Sequence, residues 1–270
     1  MGAKIYIGTS GYSYNDWIDA FYPPDTGKSD FLEFYASRFS MVELNFTYYR
    51  QPEPRILSNM IATTDPGFLF SIKAHRSLTH EIEGGEAVTT YIRGVEPLAE
   101  SGRLAAVLLQ FPYSFHYTVE NRRYLGKLCG SLHALPLAVE FRNNEWQRQS
   151  VYDELADRSI AFTVVDCPQL EKLPAPDAVT TANLGYIRFH GRNKENWWTG
   201  TNASRYDFLY SEDELDKWLD KIAHMARSTA ILLIAFNNHW RGQAPRNAEQ
   251  LGGLLKTRPG LEVIMGEKDR

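Results

Sequence analysis

Four stretches of the chain place ionisable or amide side chains on alternate residues. In Ala138-Val139-Glu140-Phe141-Arg142, Glu140 and Arg142 share one parity and Val139 and Phe141 the other. Tyr186-Ile187-Arg188-Phe189-His190 sets Arg188 and His190 against Ile187 and Phe189. Between Phe68 and His75, Ser71, Lys73 and His75 oppose Phe70 and Ile72, and in Val42-Glu43-Leu44-Asn45 the polar pair is Glu43 and Asn45. Alternation with a period of two belongs to a strand and gathers each set on one face. Gln110 and Asn237 end two further apolar runs, and Asp166 and Arg192 stand just past strand ends. The residue types suit proton transfer beside an anion site. An arginine keeps a nearby carboxylate ionised as a base while desolvation raises its pKa, which fits Glu140 next to Arg142, with His190 as the complementary acid. Glu43 and Asp166 are the other candidate catalytic carboxylates. Lys73, Arg142, Arg188 and Arg192 suit a phosphate or carboxylate, with Asn45, Gln110 and Asn237 as further binding groups. These four cations and three acids leave a net +1 with the histidines neutral.

These side chains need a scaffold that brings many strand ends together. Eight apolar runs fall at residues 4–9, 41–45, 68–74, 104–111, 137–142, 160–166, 185–190 and 230–238, each followed by turn residues and a helical pattern. Ser211-Glu212-Asp213-Glu214 reads as a capping box, followed by Leu215, Trp218, Leu219 and Ile222 at helical spacing. Pro245 opens a last helix with an apolar face of Ala248, Leu251, Leu254 and Leu255. Strands alternating with helices make a parallel sheet, closed or open. Strands of an open parallel sheet are apolar on both faces, unlike these, and eight units in 270 residues suit a (β/α)₈ TIM barrel. The expectation is an α/β protein forming a single barrel domain over residues 1–270. The polar parity then lies inside the barrel at the C-terminal strand ends, where such folds bind ligands. A self-satisfied structural network is the competing reading, but such a network has no reason to collect at one end.

Aromatic residues add a second requirement. Trp17, Trp146, Trp197, Trp198 and Trp240 all fall in segments that follow a strand, as does Tyr206, whereas Trp218 falls on a helix face. Together the five tryptophans are expected to form a rim on which a base or sugar ring stacks, with Trp17, Trp146, Trp197 and Tyr206 as ring-binding candidates. Segments 10–28 and 191–210 are much longer than the ~2–6 residues usual between strand and helix, as lids and binding loops are.

Several classes are excluded. No phosphate-loop Gly-Lys-Ser/Thr and no Gly-x-Gly-x-x-Gly occurs, and Gly8-Thr9-Ser10-Gly11 is not a nucleophile elbow, because Tyr12 stands where the second glycine belongs. Two cysteines, Cys129 and Cys167, are too few for a disulfide framework. No apolar stretch is long enough for a membrane span, and with no leader pattern at the start the protein is expected in the cytoplasm. The formal charge of −4 argues against coating a long polyanion. A divalent metal among Glu43, His75, Glu140, Asp166 and His190 is an alternative, disfavoured by the crowd of cations, and no cofactor is expected.

Taken in order, Gly8-Thr9-Ser10-Gly11, Glu43-Leu44-Asn45, Lys73-Ala74, Gln110-Phe111-Pro112, Glu140-Phe141-Arg142, Asp166-Cys167-Pro168, Arg188-Phe189-His190-Gly191-Arg192 and Phe236-Asn237-Asn238 resemble the YecE-like family, domain of unknown function 72. The resemblance spans nearly the whole chain and implies a (β/α)₈ barrel without implying an activity. It departs at Asn143, where the family often carries histidine, so no mechanism can use a histidine there. The expected function is an enzyme acting by acid–base chemistry on a small anionic, ring-bearing molecule such as a sugar phosphate or nucleotide. Two alternatives stand beside it. One is a metal-dependent phosphodiesterase on nucleic acid, resembling endonuclease IV; the other is a non-catalytic binder of nucleotide or nucleic acid.

Overall fold

A computed structural model describes residues 2–266. Its strands are β1 (Lys4–Thr9), β2 (Met41–Leu44), β3 (Leu69–Lys73), β4 (Leu104–Gln110), β5 (Leu137–Glu140), β6 (Ala161–Asp166), β7 (Leu184–Phe189), β8 (Ile231–Phe236) and β9 (Glu262–Ile264). Helices are α1 (Phe31–Ala36), α2 (Pro54–Thr63), α3 (Arg76–Thr79), α4 (Gly85–Glu100), α5 (Val119–Ser131), α6 (Gln149–Asp157), α7 (Asn202–Arg205), α8 (Glu212–Arg227) and α9 (Gln243–Lys256). All ladders are parallel, in the order β2-β3-β4-β5-β6-β7-β8-β1-β9. The eight expected runs each coincide with a strand to within two residues. The ninth, β9, adds to the outer edge of β1 and was not expected, because three residues show no periodicity.

The sheet is curled. Arg188 on β7 reaches Glu43 on β2, yet those strands are five positions apart in the ladder, about 24 Å in a flat sheet. The two ends of the curl meet where β1 lies beside β2. Ser10 pairs with Glu43 and the Gly11 N–H donates to the Glu43 carbonyl at 2.8 Å. Lower down, the Tyr35 hydroxyl fills the seam: it accepts from the Thr9 N–H at 2.8 Å and donates to the Met41 carbonyl at 3.0 Å. Gly8 is required here, since a Cβ would sit 2.1 Å from the Met41 carbonyl oxygen.

The parity read from sequence separates two apolar layers. Val42, Leu44, Phe70, Ile72, Val139, Phe141, Ile187 and Phe189 belong to the larger core, which packs against the helices. Met41, Ala106, Leu108, Ala138, Ala161, Leu233 and Ala235 form a second cluster inside the curl. Its alanines leave room for the buried side chains of Tyr186 and Arg188.

The helix layer differs from expectation in one place. Residues 167–183, between β6 and β7, hold no helix; α8 covers that side, with Lys221 Nζ donating to the Pro176 carbonyl. The capping box at Ser211 and Glu214 is present on α8. The last helix begins at Gln243, two residues before Pro245, and turns Ala248, Leu251 and Leu255 into the core while Leu254 is only partly buried.

Candidate functional site

The C-terminal strand ends surround a cleft of about 720 Å³. Its cations are Lys73, Arg142, Arg188 and Arg205, and its amides are Asn45, Gln110 and Asn237. Aromatic walls come from Tyr14, Tyr48, Tyr113, Trp197, Trp198 and Tyr206, with His80 and His239 between them.

Beneath this cleft lies an ion network with no exposed carboxylate. Arg188 closes on Glu43 with Nε–Oε2 at 2.8 Å and Nη2–Oε1 at 2.6 Å, and its Nη1 reaches Glu140 Oε2 at 2.5 Å. The Tyr186 hydroxyl donates to Glu43 Oε2 at 2.7 Å. Arg142 Nε forms an ion pair at 2.6 Å with Glu140 Oε1. His190 is fixed as a tautomer by its partners. The Asn237 amide donates to Nδ1 at 3.1 Å, so the proton sits on Nε2, which faces Glu140 Oε1 at 3.2 Å. Tyr186 rises from the apolar interior cluster, and the other side chains project from the C-terminal half of a strand or just past it, because the bottom of the interior is filled by that cluster.

Electrostatics follow from this packing. Burial alone would raise Glu140, but Arg188 and then Arg142 outweigh it and hold the carboxyl well below its usual range. Glu43 is likewise lowered, with burial overcome by Arg188. Burial, then Arg142, pushes His190 down to about 3, so it is neutral. Lys73 is pushed down to about 7 by burial and by Arg188 and Arg142. Tyr206 is lowered despite its burial, because Arg142 and Arg188 stabilise its phenolate. Burial and the charge on Lys73 lower His80 to about 4. The four cations of the cleft face two carboxylates, so two positive charges are uncompensated when Lys73 is protonated.

Not every expected residue reaches the cleft. Glu43, Glu140 and His190 are fully buried below its floor. Asp166 points the other way, between sheet and helices: Phe162 and Val164 share its parity and face the outer core. It accepts from Arg192 at 2.8 and 2.6 Å, from the Tyr210 hydroxyl at 2.9 Å and from Trp218 Nε1 at 2.8 Å. Arg192 leaves the mouth because Gly191, at φ 81°, turns the chain there, and it also pairs with Glu214 at 3.3 Å. His75 caps α3 through Ser77. Of the five tryptophans expected on one rim, only Trp197 and Trp198 line the cleft. Trp17 is buried and donates to the His239 carbonyl at 2.7 Å; Trp146 is buried, stacks on Phe141 at 4.3 Å and donates to the Phe115 carbonyl. Both sit in short 3₁₀ turns that fold the indole down onto the core. Asn143 staples its loop, its amide donating to the Tyr113 and Phe115 carbonyls.

Cleft residues that strand parity misses are His80, Arg205 and His239, all on loops or short helices after strands. The length of segment 191–210 was the only signal for Arg205; His80 and His239 carried none. No group of three or more His, Cys, Asp or Glu side chains placed to hold a metal occurs among the described residues. The carboxylates that would supply one are engaged by arginines. No helix among the described residues is long and apolar enough to cross a membrane.

An all-parallel curled α/β sheet with a polar cleft at its C-terminal strand ends is a TIM-barrel-like architecture. The model of the family described as protein of unknown function DUF72 matches residues 6–266, and the chain belongs to that family. It is 30% identical to UPF0759 protein YunF of Bacillus subtilis strain 168, across 93% of this chain and 94% of that one. A DUF72 family protein of Thermotoga maritima superposes with a TM-score of 0.87 at 40% identity, covering 94% of this chain and 99% of that one. One from Enterococcus faecalis superposes with a TM-score of 0.83 at 26% identity, covering 94% and 96%.

Proposed function

We propose that this protein binds a small anionic, ring-bearing molecule at the C-terminal strand ends and acts on it by proton transfer, its curled sheet serving as an eight-stranded barrel with β9 appended. One observation carries the reading. Arg205, in the wall of the cleft, has a buried Nε without a hydrogen-bond partner, beside Arg142, Arg188 and Lys73 and opposite carboxylates too few to neutralise them. A guanidinium N–H kept dry and unpaired is costly, and a ligand phosphate or carboxylate offsets that cost. Tyr14, Tyr206, Trp197 and Trp198 flank the cations, where a ring would stack.

Roles follow from position. Glu43 and Glu140 hold the guanidinium groups of Arg188 and Arg142 in place, and His190 orients Glu140. A carboxylate with both oxygens held by arginines is a weak base, so proton transfer falls to Lys73 and Tyr206, which face the cleft with lowered pKa values. Asn45, Gln110 and Asn237 supply neutral hydrogen bonds. Asp166 and Arg192 brace α8 against the sheet and take no part.

Titration calorimetry against sugar phosphates, nucleotides and sugar acids tests this reading. Binding that weakens with salt and with Arg142→Gln is expected; a panel with no binder, or a binder indifferent to Arg142, refutes it. The half-exposed indole of Trp198 favours a second reading, non-catalytic binding of a nucleotide or single strand, which turnover of any bound compound would exclude.

A further inference from the structure

We propose that Lys73 is a nucleophile that forms a reversible imine with an aldehyde or ketone group on the anionic ligand. The inference rests on the anion-site reading above and narrows it to carbonyl compounds.

Three features of the geometry point to it. Lys73 is the last residue of β3, so its amine rises from a rigid strand end into the cleft rather than from a loop. Among the described residues its Nζ has no carboxylate partner, because Glu43 is taken by Arg188 and Glu140 by Arg188 and Arg142. Its Nζ lies over the Tyr48 ring face, 4.3 Å from the centroid, a contact that takes an N–H and leaves the lone pair of the neutral amine unbonded. A lysine meant to bind an anion by charge needs no such isolation; one meant to attack must present a free lone pair. Burial and the neighbouring arginines push this amine down to about 7, so much of it is free base near neutrality. The same arginines would hold the ligand anion and fix its carbonyl beside Nζ.

The step balances without a further reactant. The amine lone pair attacks the carbonyl carbon and a C–N bond forms, while one amine proton passes to the carbonyl oxygen. The carbinolamine then loses its hydroxyl with the second proton as water, leaving the C=N bond, and hydrolysis reverses the sequence. His80, neutral and edge-on to Tyr48 at 4.9 Å, and Tyr206 are the cleft groups able to pass those protons.

Pyridoxal 5′-phosphate tests the proposal, being an anion, a ring and an aldehyde in one molecule. Pyridoxine 5′-phosphate is its carbonyl-free twin. The full chain is treated with the aldehyde at pH 7, reduced with borohydride and mapped by peptide mass spectrometry. Lys73 should be labelled at least about tenfold faster than exposed lysines such as Lys28 and Lys172, as expected for an amine with a much larger free-base fraction. Lys73→Arg should abolish the fast phase yet still bind the twin in calorimetry. If both compounds bind and Lys73 labels no faster than surface lysines, the imine is refuted and the anion site stands. If neither compound binds, the imine falls, and the anion site falls with it only if the sugar phosphates, nucleotides and sugar acids also fail to bind.

Discussion

Arg188 and Glu43 meet through two parallel hydrogen bonds, 2.8 and 2.6 Å long, across the interior of the sheet from β7 to β2. Glu140 takes the remaining Nη1 at 2.5 Å. The guanidinium therefore pins strands that are far apart in the ladder. Removing one partner of such a pair leaves a buried charge exposed to nothing. Arg188→Met should cost about 3–5 kcal/mol, read as a drop in the urea midpoint. A loss below ~1 kcal/mol would show that the curl closes without it.

Acid should unfold the protein early. The folded-state pKa values of Glu43 and Glu140 are depressed, so their contribution is complete above the ordinary carboxylate range and fades as pH falls through and below it. His190 adds to the same trend. Its folded value, about 3, lies under the ordinary histidine value, so between roughly pH 6.5 and 3 the unfolded chain binds a proton that the folded chain refuses. The slope from this histidine is about 1.4 kcal/mol per pH unit. Urea midpoints measured from pH 7 to 4 should fall steadily, and His190→Gln should flatten the upper part of that decline.

Arg142 and Arg205 should govern affinity rather than stability. Losing one charged contact to a bound anion costs about 1.5–3 kcal/mol, roughly a tenfold to hundredfold rise in Kd. Arg205→Gln should show this with an unchanged melting temperature, because its Nε gives up no partner. Affinity unaltered by both substitutions would place the anion elsewhere.

Two tryptophans with similar loop positions should behave oppositely. Trp17→Ala empties a fully buried site and should destabilise by ~3–5 kcal/mol. Trp198 is 51% exposed; Trp198→Ala should change stability by less than about 0.5 kcal/mol but weaken a ring-bearing ligand by ~0.5–1.5 kcal/mol. Equal effects on folding would contradict the assignment of only the second to the cleft.

Chelation should leave ligand binding intact. Glu43 and Glu140 already have arginines on their oxygens, and a divalent ion would have to displace them. Binding or turnover lost in EDTA and restored by Mg²⁺, Mn²⁺ or Zn²⁺ would favour the phosphodiesterase alternative instead.

Strand parity made most of the cleft floor legible. Lys73, Arg142 and Arg188 were each found from alternation, which reports which face a strand residue occupies, and Gln110 and Asn237 from their places at the ends of apolar runs. The same rule, applied strictly, would have sent Asp166 outward with Phe162 and Val164; its position at a strand end concealed that. Loops carry no period, so His80 and His239 left no mark, Arg205 showed only through the length of its segment, and Trp17 and Trp146 could not be distinguished from Trp197. Whether an indole caps the core or borders a cavity depends on how a 3₁₀ turn tips it, which composition does not encode. Nor did the chain reveal that the acids lie under the cleft rather than in it, a matter of depth along the strand.

Segment 191–210 supplies Trp197, Trp198, Arg205 and Tyr206, whereas Lys73 and Arg188 come from strands. The two sources carry different structural loads. A change in the strands disturbs a charge lattice on which folding depends; within the segment, Arg192 and Tyr210 hold Asp166, while a change at Trp197, Trp198, Arg205 or Tyr206 alters what stands over the lattice. On the proposed anion-site reading, exchanging residues 197–206 between relatives should shift the preference for one ring over another while the strand-borne cations stay fixed, so that stretch is the unit for redesigning selectivity.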